Sequence, residues 1–337
     1  MFRFFARDLA VDLGTANTLM YEKSMGIVLN EPSIVALKID GQKKQVVAIG
    51  SEAKAMLGRT PEGVRVIRPV RTGVIADFEV ATLMIKHFVQ RARQKTRSLF
   101  KPRVIVGVPS GITEVEKRAI RDSIESEARE VNLIHEAMAA AIGCSLPVTE
   151  AVASLVVDVG GGTTDIAVVS LKDIVFAVSL RQGGDAMDEA IINHMRRRHH
   201  LLIGETTAEL VKKTIGSAHS DYDNQEMEVR GRSLTSGAPA SLLVSGDEIR
   251  EAISEVVHAV IAGVRHALEN TPPELSGDIM TTGIALAGGG ALLKGLDKRI
   301  SEELKVNVAI GDDPLAAVVK GAGICLDNLE LYRELLF

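Results

Sequence analysis

At 337 residues the chain is long enough for two globular lobes, and 46% hydrophobic against 25% charged residues supplies a substantial core. A net charge of −5 excludes a general nucleic-acid binder, which needs a basic face, and the absence of tryptophan argues against a sugar-stacking platform. Cys144 and Cys325, both in small apolar surroundings, read as core thiols; they give neither a disulfide framework nor a zinc site and fit a cytoplasmic protein.

Taken in order, residues 1–9 form a short amphipathic pattern. As a helix they put Met1, Phe2, Phe4, Phe5 and Leu9 on one side and Arg3 and Arg7 on the other. There is no sustained apolar stretch and no small-residue cleavage site, so this is not a signal peptide. Phe2, Phe4 and Phe5 suit interfacial membrane contact; a terminal segment packed on the fold is the equal alternative. No apolar run in the chain reaches the ~18–20 residues that span a bilayer.

Residues 9–20 then read apolar run, Asp12-Leu13-Gly14-Thr15-Ala16-Asn17, apolar run: a hairpin with Asp-x-Gly at its tip. Apolar runs around Ile34 and Val46, with Asp40-Gly41 between them, predict a second hairpin. Residues 51–57 and 77–97 carry helical patterns, the latter ending in basic residues. Leu99 and Phe100 follow in a loop beside several cations. That combination suits an anionic lipid surface, or equally a hydrophobic plug. Residues 104–109 read as a buried strand, and Thr113 and Glu116 have capping-box spacing for a helix expected to run to Glu130. Residues 133–143 predict a strand end feeding an alanine-rich helix with Glu136 at its entry, an acid that the helix dipole alone would also explain.

Residues 155–169 repeat the first pattern: an apolar strand, Asp158-Val159-Gly160-Gly161-Gly162-Thr163-Thr164-Asp165, and a second apolar strand. Consecutive glycines let backbone N–H groups converge on a phosphate, and Asp158 and Asp165 bracket the tip with carboxylates suited to hydrated Mg²⁺. Two such tips facing one another would clamp a polyphosphate from both sides. Beyond them lie a helix of residues 187–200 whose Arg196-Arg197-Arg198-His199-His200 tail reads as a solvated cap, and a helix starting at residue 204. A polar, irregular stretch over residues 217–240 reads as a mobile loop and hairpin on the outside of the second lobe, and a long amphipathic helix covers 248–268. A third glycine cluster, Gly288-Gly289-Gly290, would bring backbone against a flat ring or ribose. None of the three has P-loop order. Residues 318–324 predict a small-residue helix matching that of residues 137–143, the pair forming a hinge between lobes. The second half thus repeats the first in outline.

Together these features resemble the actin, Hsp70 and hexokinase ATPase superfamily and, within it, the MreB family of bacterial actin homologues. The resemblance runs over essentially the whole chain, through phrases such as Asn30-Glu31-Pro32-Ser33, Ala76-Asp77-Phe78-Glu79-Val80, Ile203-Gly204-Glu205-Thr206-Thr207-Ala208-Glu209 and Thr271-Pro272-Pro273-Glu274-Leu275. It implies an α/β, actin-like two-lobed ATPase fold with duplicated ribonuclease-H-like cores and two inserted peripheral subdomains. These would be IA (residues 1–32, 66–145 and 315–337), IB (33–65), IIA (146–181 and 246–314) and IIB (182–245).

It further implies ATP or ADP between the lobes, on Thr15, Ala16 and Asn17 and on Gly160, Gly161 and Gly162. Glu209 and Lys212, with Gly288, Gly289, Gly290 and Leu292, would take the ribose and adenine. Asp12 and Asp158 would orient Mg²⁺ through water, and Glu136, assisted by Thr163, would orient the attacking water. Ala137 follows Glu136 where the family usually has proline, which loosens that corner and implies slow hydrolysis. The implied function is a cytoplasmic filament of paired protofilaments, peripheral on the inner face of the cell membrane through Phe2, Phe4, Phe5, Leu99 and Phe100. It would maintain rod shape by organising cell-wall synthesis, with MreC, MreD and RodZ as partners and no nucleic acid. A small-molecule kinase of the same superfamily is the alternative; an Hsp70-type chaperone would need a peptide-binding domain for which the chain leaves no room.

Overall fold

The computed structural model describes residues 7–40 and 43–337. The phenylalanines Phe2, Phe4 and Phe5 and the turn residue Gly41 lie outside the described residues.

Two five-stranded sheets carry the molecule, and they share one topology. In the first, strands Leu9–Leu13, Asn17–Glu22 and Gly26–Pro32 run antiparallel in succession. On the other side of Leu9–Leu13 come Arg103–Val108 and Glu130–His135, both parallel to it. In the second sheet, Ser154–Val159, Thr164–Ser170 and Asp173–Leu180 form the antiparallel half, and Ile284–Ala287 and Val308–Ile310 the parallel half. The first strand is central in each and apolar apart from one aspartate and, in the second sheet, the leading Ser154, as suits a strand covered on both faces. Asp12 pairs with Gly107, and Asp158 with Ala287, one residue before the hairpin tip in both sheets. The duplication expected from the two Asp-x-Gly tips is therefore exact in strand order.

After its fifth strand, each sheet sends a small-residue helix into the space between the sheets: Glu136–Gly143 from the first, Ala317–Asp327 from the second. They pack backbone to backbone. A Cβ on Gly143 would sit 1.9 Å from the Ala317 carbonyl oxygen, and one on Gly321 would sit 1.8 Å from that of Ala139. Around them a buried cluster of Ile105, Ile134, Val156, Ala167, Val319 and Cys325 joins the two lobes into one core.

Each lobe carries a smaller three-stranded sheet. Val35–Asp40, Lys43–Ile49 and Val64–Ile67 extend the first, with the short helix Ser51–Met56; Leu201–Leu202, Glu226–Ser233 and Pro239–Ser245 extend the second. The helix opened by the Thr113 capping box ends at Glu125, short of the expected Glu130. The Arg129 N–H is drawn to the Pro102 carbonyl at 2.9 Å, and Glu130 onward pairs as a strand with Arg103–Val108. Tertiary pairing overrides the helix-forming Glu127-Ala128-Arg129. The stretch read as a loop and hairpin, residues 217–240, holds a 3₁₀ turn, Ser220–Tyr222, and the first strand of a hairpin whose second strand, Pro239–Ser245, runs past it. Among the described residues, no helix is long and apolar enough to cross a membrane.

Candidate functional site

The two hairpin tips meet between the lobes. A Cβ on Gly162 would lie 2.6 Å from the Thr15 hydroxyl, and one on Gly161 would lie 2.7 Å from the Ala16 methyl. Glycine is required here because the tips approach to backbone distance, and Thr15 Oγ1 also accepts from the Gly73 N–H at 3.1 Å. The second tip is held from behind by the helix Gly184–His199. Its first N–H groups, from Gly184 and Asp185, donate to the carbonyls of Gly160 and Gly161 at 3.0 and 2.8 Å.

Around the tips opens a cavity of about 1040 Å³. It brings together Asp12, Thr15, Ala16, Asn17, Glu136, Asp158, Gly160, Gly161, Gly162, Thr163, Glu209, Lys212, Gly288, Gly289, Gly290 and Leu292, all singled out in the sequence. Leu99 and Phe100 are elsewhere, 73% and 41% exposed on the loop after the helix Phe78–Thr96. The Ser98 hydroxyl in that loop accepts from the Arg7 N–H at 3.1 Å, which sets Arg7 beside it.

One expectation changes. Asp165 does not line the cavity: it accepts from the Ser110 N–H at 3.2 Å and from the Thr163 and Ser179 hydroxyls, tying the second hairpin to the first lobe. The third glycine cluster lines the cavity as expected, with a second reason for its composition. Cβ atoms on Gly288 and Gly290 would strike Asp158 and Val159 at 2.2–2.4 Å, so those glycines let the loop close onto the central strand.

Electrostatically the floor of the cavity is unbalanced. Burial, then the charges of Asp165, Asp12 and Asp158, push Glu136 well above the usual carboxylate range. Burial, then Asp12 and Asp165, does the same to Asp158, and burial raises Asp12 to about 7. Among the described residues none of these carboxylates forms an ion pair. A group of hard oxygen donors, buried without a counter-charge, suits a small divalent cation and is costly without one.

At the cavity mouth, ion pairs reach across the lobes. Lys54, on the first lobe's short helix, meets Glu209 of the helix Glu205–Ile215 at 2.8 Å, and Arg68 meets Glu205 at 3.1 Å. Burial opposes ionisation of Glu209, but hydrogen bonds from Lys213 and Lys54 and their charges outweigh it and lower its pKa to about 2. Lys212 bonds the Gly184 carbonyl and pairs with Asp188, each at 2.8 Å. Burial leads there and carries Asp188 up to about 6 despite Lys212. Sequence reasoning missed Lys54, Arg68, Asp185 and Asp188. The first pair are isolated cations in motif-free stretches. The aspartates stand in Gly184-Asp185-Ala186-Met187-Asp188, at the entry of a helix of which only the basic tail was singled out in the sequence.

Set beside known proteins, residues 6–334 match a family model described as MreB/Mbl protein. The cell shape-determining protein MreB of Escherichia coli (strain K12) is 50% identical over 336 residues, which cover 99% of this chain and 97% of that protein. The cell shape-determining protein Mbl of Bacillus subtilis (strain 168) is 46% identical over 328 residues, 97% of each. Among solved structures, MreB5 of Spiroplasma citri bound to ADP superposes with a TM-score of 0.91 at 35% identity, over 98% of both chains. A MamK double helical filament, at 22% identity, reaches a TM-score of 0.78 over 95% of this chain and 99% of that one, a likeness of fold.

Proposed function

The chain belongs to the MreB/Mbl protein family, and from that premise we propose that it is an actin-like cytoskeletal protein that maintains cell shape as an ATP-binding filament. The observation that carries this reading is the facing pair of Asp-x-Gly tips, in two sheets of identical topology, over one cavity. ATP or ADP fits there, its phosphates against the backbone of Thr15, Ala16 and Asn17 and of Gly160, Gly161 and Gly162. The ribose and base lie toward Glu209, Lys212, Gly288, Gly289, Gly290 and Leu292. The MreB5 structures bound to ADP and to AMPPNP support a nucleotide as the ligand.

Mg²⁺ would be held through water by Asp12 and Asp158, where it supplies the counter-charge that the buried carboxylates lack. Glu136, at the first turn of its helix with Thr163 nearby, orients the attacking water, so catalysis rests on positioning. Ala137 leaves the helix entry less rigid than proline would, and hydrolysis is slow. The proposed subdomains are IA with the first large sheet, IB with its small sheet, IIA with the second large sheet and IIB with the outer hairpin, although the strand Val64–Ile67 of the small sheet runs past the expected IB boundary at residue 65.

Filaments of paired protofilaments would lie on the inner face of the cell membrane. Leu99 and Phe100 together with Phe2, Phe4 and Phe5 would provide the lipid contact; Arg7, close to those phenylalanines in sequence, lies beside Ser98. MreC, MreD and RodZ are the partners that family membership suggests for organising wall synthesis.

Co-sedimentation with anionic liposomes, with Mg-ATP and without nucleotide, tests the assignment. The wild type is compared with a Phe4→Ser/Phe5→Ser/Leu99→Ser/Phe100→Ser variant, and the pellets are imaged. Membrane-bound filaments that detach in the variant are expected. Soluble monomers throughout, with turnover only on addition of a small-molecule phosphoryl acceptor, would favour the kinase alternative.

A further inference from the structure

Away from the cavity, the helix Gly184–His199 ends against the start of the long helix Gly246–Glu269. Two imidazoles on the first converge on one carboxylate of the second. His194 Nε2 lies 2.7 Å and His199 Nε2 2.5 Å from Glu248 Oε1. The three side chains are 16%, 26% and 15% exposed, so they are lodged in the joint, not spread on the surface. Their ligand atoms all lie within 4.8 Å of one another. In the sequence His199 read as part of the solvated tail of a basic helix end, and His194 was not singled out.

We propose that His194, His199 and Glu248 form a binding site for a divalent transition metal of the Zn²⁺ class, joining the two helices. Two imidazole nitrogens and one carboxylate are the ligand set that such borderline ions prefer, with three protein ligands leaving a fourth position for water. Metal–ligand bonds of about 2.0–2.1 Å in tetrahedral geometry need ligand atoms about 3.3 Å apart. The carboxylate–imidazole separations must therefore open by less than about 1 Å. The ion lies at the C-terminal, negative end of the helix dipole of Gly184–His199, which offsets the positive N-terminal end of Gly246–Glu269 where Glu248 stands.

The Arg198 Nε, 3.5 Å from the same carboxylate oxygen, is the competing cation; its side chain is 62% exposed and free to swing outward. On binding, each histidine Nε2 gives up its proton or changes tautomer so that its lone pair meets the metal, and Glu248 binds as the carboxylate. The bound ion locks the far end of the helix whose first N–H groups hold the second hairpin tip.

The full chain, stripped with chelator and then kept in excess Mg²⁺, is titrated with Zn²⁺ against a chromophoric competitor. Co²⁺ serves in parallel for its visible absorption. One tightly bound ion per chain is expected, with a tetrahedral Co²⁺ spectrum and a rise in Tm. A His194→Gln/His199→Gln variant should bind at least about tenfold more weakly and lose the spectrum. In the wild type, mass-spectrometric footprinting with a histidine-acylating reagent should show His194 and His199 protected by Zn²⁺, with His258 and His266 unaffected. Equal affinity in wild type and variant, or no protection of the two histidines, would overturn the site and leave a hydrogen-bonded His–Glu–His joint.

Discussion

Glu136 and Asp12 are both buried acids, yet they serve different ends, and substitution separates them. Glu136→Gln keeps the shape of the side chain and removes the carboxylate. Nucleotide affinity is expected to hold while phosphate release in single turnover slows by about tenfold or more; an unchanged release rate would remove Glu136 from catalysis. Asp12 bears on stability. Burial raises its folded-state pKa from 3.8 to about 7, so between those values the folded state holds a proton that the unfolded chain has lost. Such a group supports folding below pH 4 and withdraws that support as pH rises toward 7. The withdrawal is roughly 4 kcal/mol at most for about three units. In nucleotide-free protein, Tm is expected to fall across this window, and Mg²⁺ with ADP to flatten the fall. Asp12→Asn, having no carboxylate to ionise, should be more stable than wild type at pH 8 without nucleotide and should lose the Mg²⁺ dependence of nucleotide binding. A Tm independent of pH in the apo wild type would show that Asp12 pays no burial penalty.

The helices Glu136–Gly143 and Ala317–Asp327 set the distance between the lobes through two glycines. Gly321→Ala places a methyl 1.8 Å from the Ala139 carbonyl oxygen, a backbone atom that no rotamer change can move. The expected cost is about 1–3 kcal/mol or more in chemical unfolding, with weaker nucleotide binding because the helix pair must part. Gly277→Ala, on the helix Pro273–Thr282 with nothing within 4 Å of the added methyl, should instead stabilise by about 0.5–1 kcal/mol. Such elements are legible in a sequence because a helix that must approach another at backbone distance needs small residues, and the Ala139-Ala140-Ala141 and Gly321-Ala322-Gly323 runs declare it. The hairpin tips are legible for a similar reason, since Asp-x-Gly between apolar strands leaves few other structures. Other features depend on partners remote in sequence. The strand at Glu130 exists because Arg103–Val108 lies beside it, and Asp165 turns to the Ser110 N–H, 55 residues away. Local pattern cannot carry that information.

At the scale of the whole molecule, the cavity has a hinge at its floor and a latch at its mouth. The hinge is the glycine-bearing helix pair. The latch is the two ion pairs that reach between the lobes, Lys54 to Glu209 and Arg68 to Glu205, over sequence separations of 155 and 137 residues. Lys54 sits on the first lobe's small unit, Arg68 just past that unit's last strand, Val64–Ile67, and Glu205 and Glu209 on the second lobe's small unit, so any opening of the cleft must break both pairs. Exposed pairs of this kind are worth about 0.2–1 kcal/mol each and are screened by salt. Two of them therefore set a modest barrier to nucleotide escape, in the range where exchange can be tuned without changing the site itself. Lys54→Ala/Arg68→Ala should accelerate release of a fluorescent nucleotide by about two- to tenfold with little effect on the hydrolysis step. Raising ionic strength should do the same to the wild type and much less to the variant, because the screened charges are already gone. Release rates that respond to salt equally in both proteins would place the control of exchange at the cavity floor, with the carboxylates and their cation.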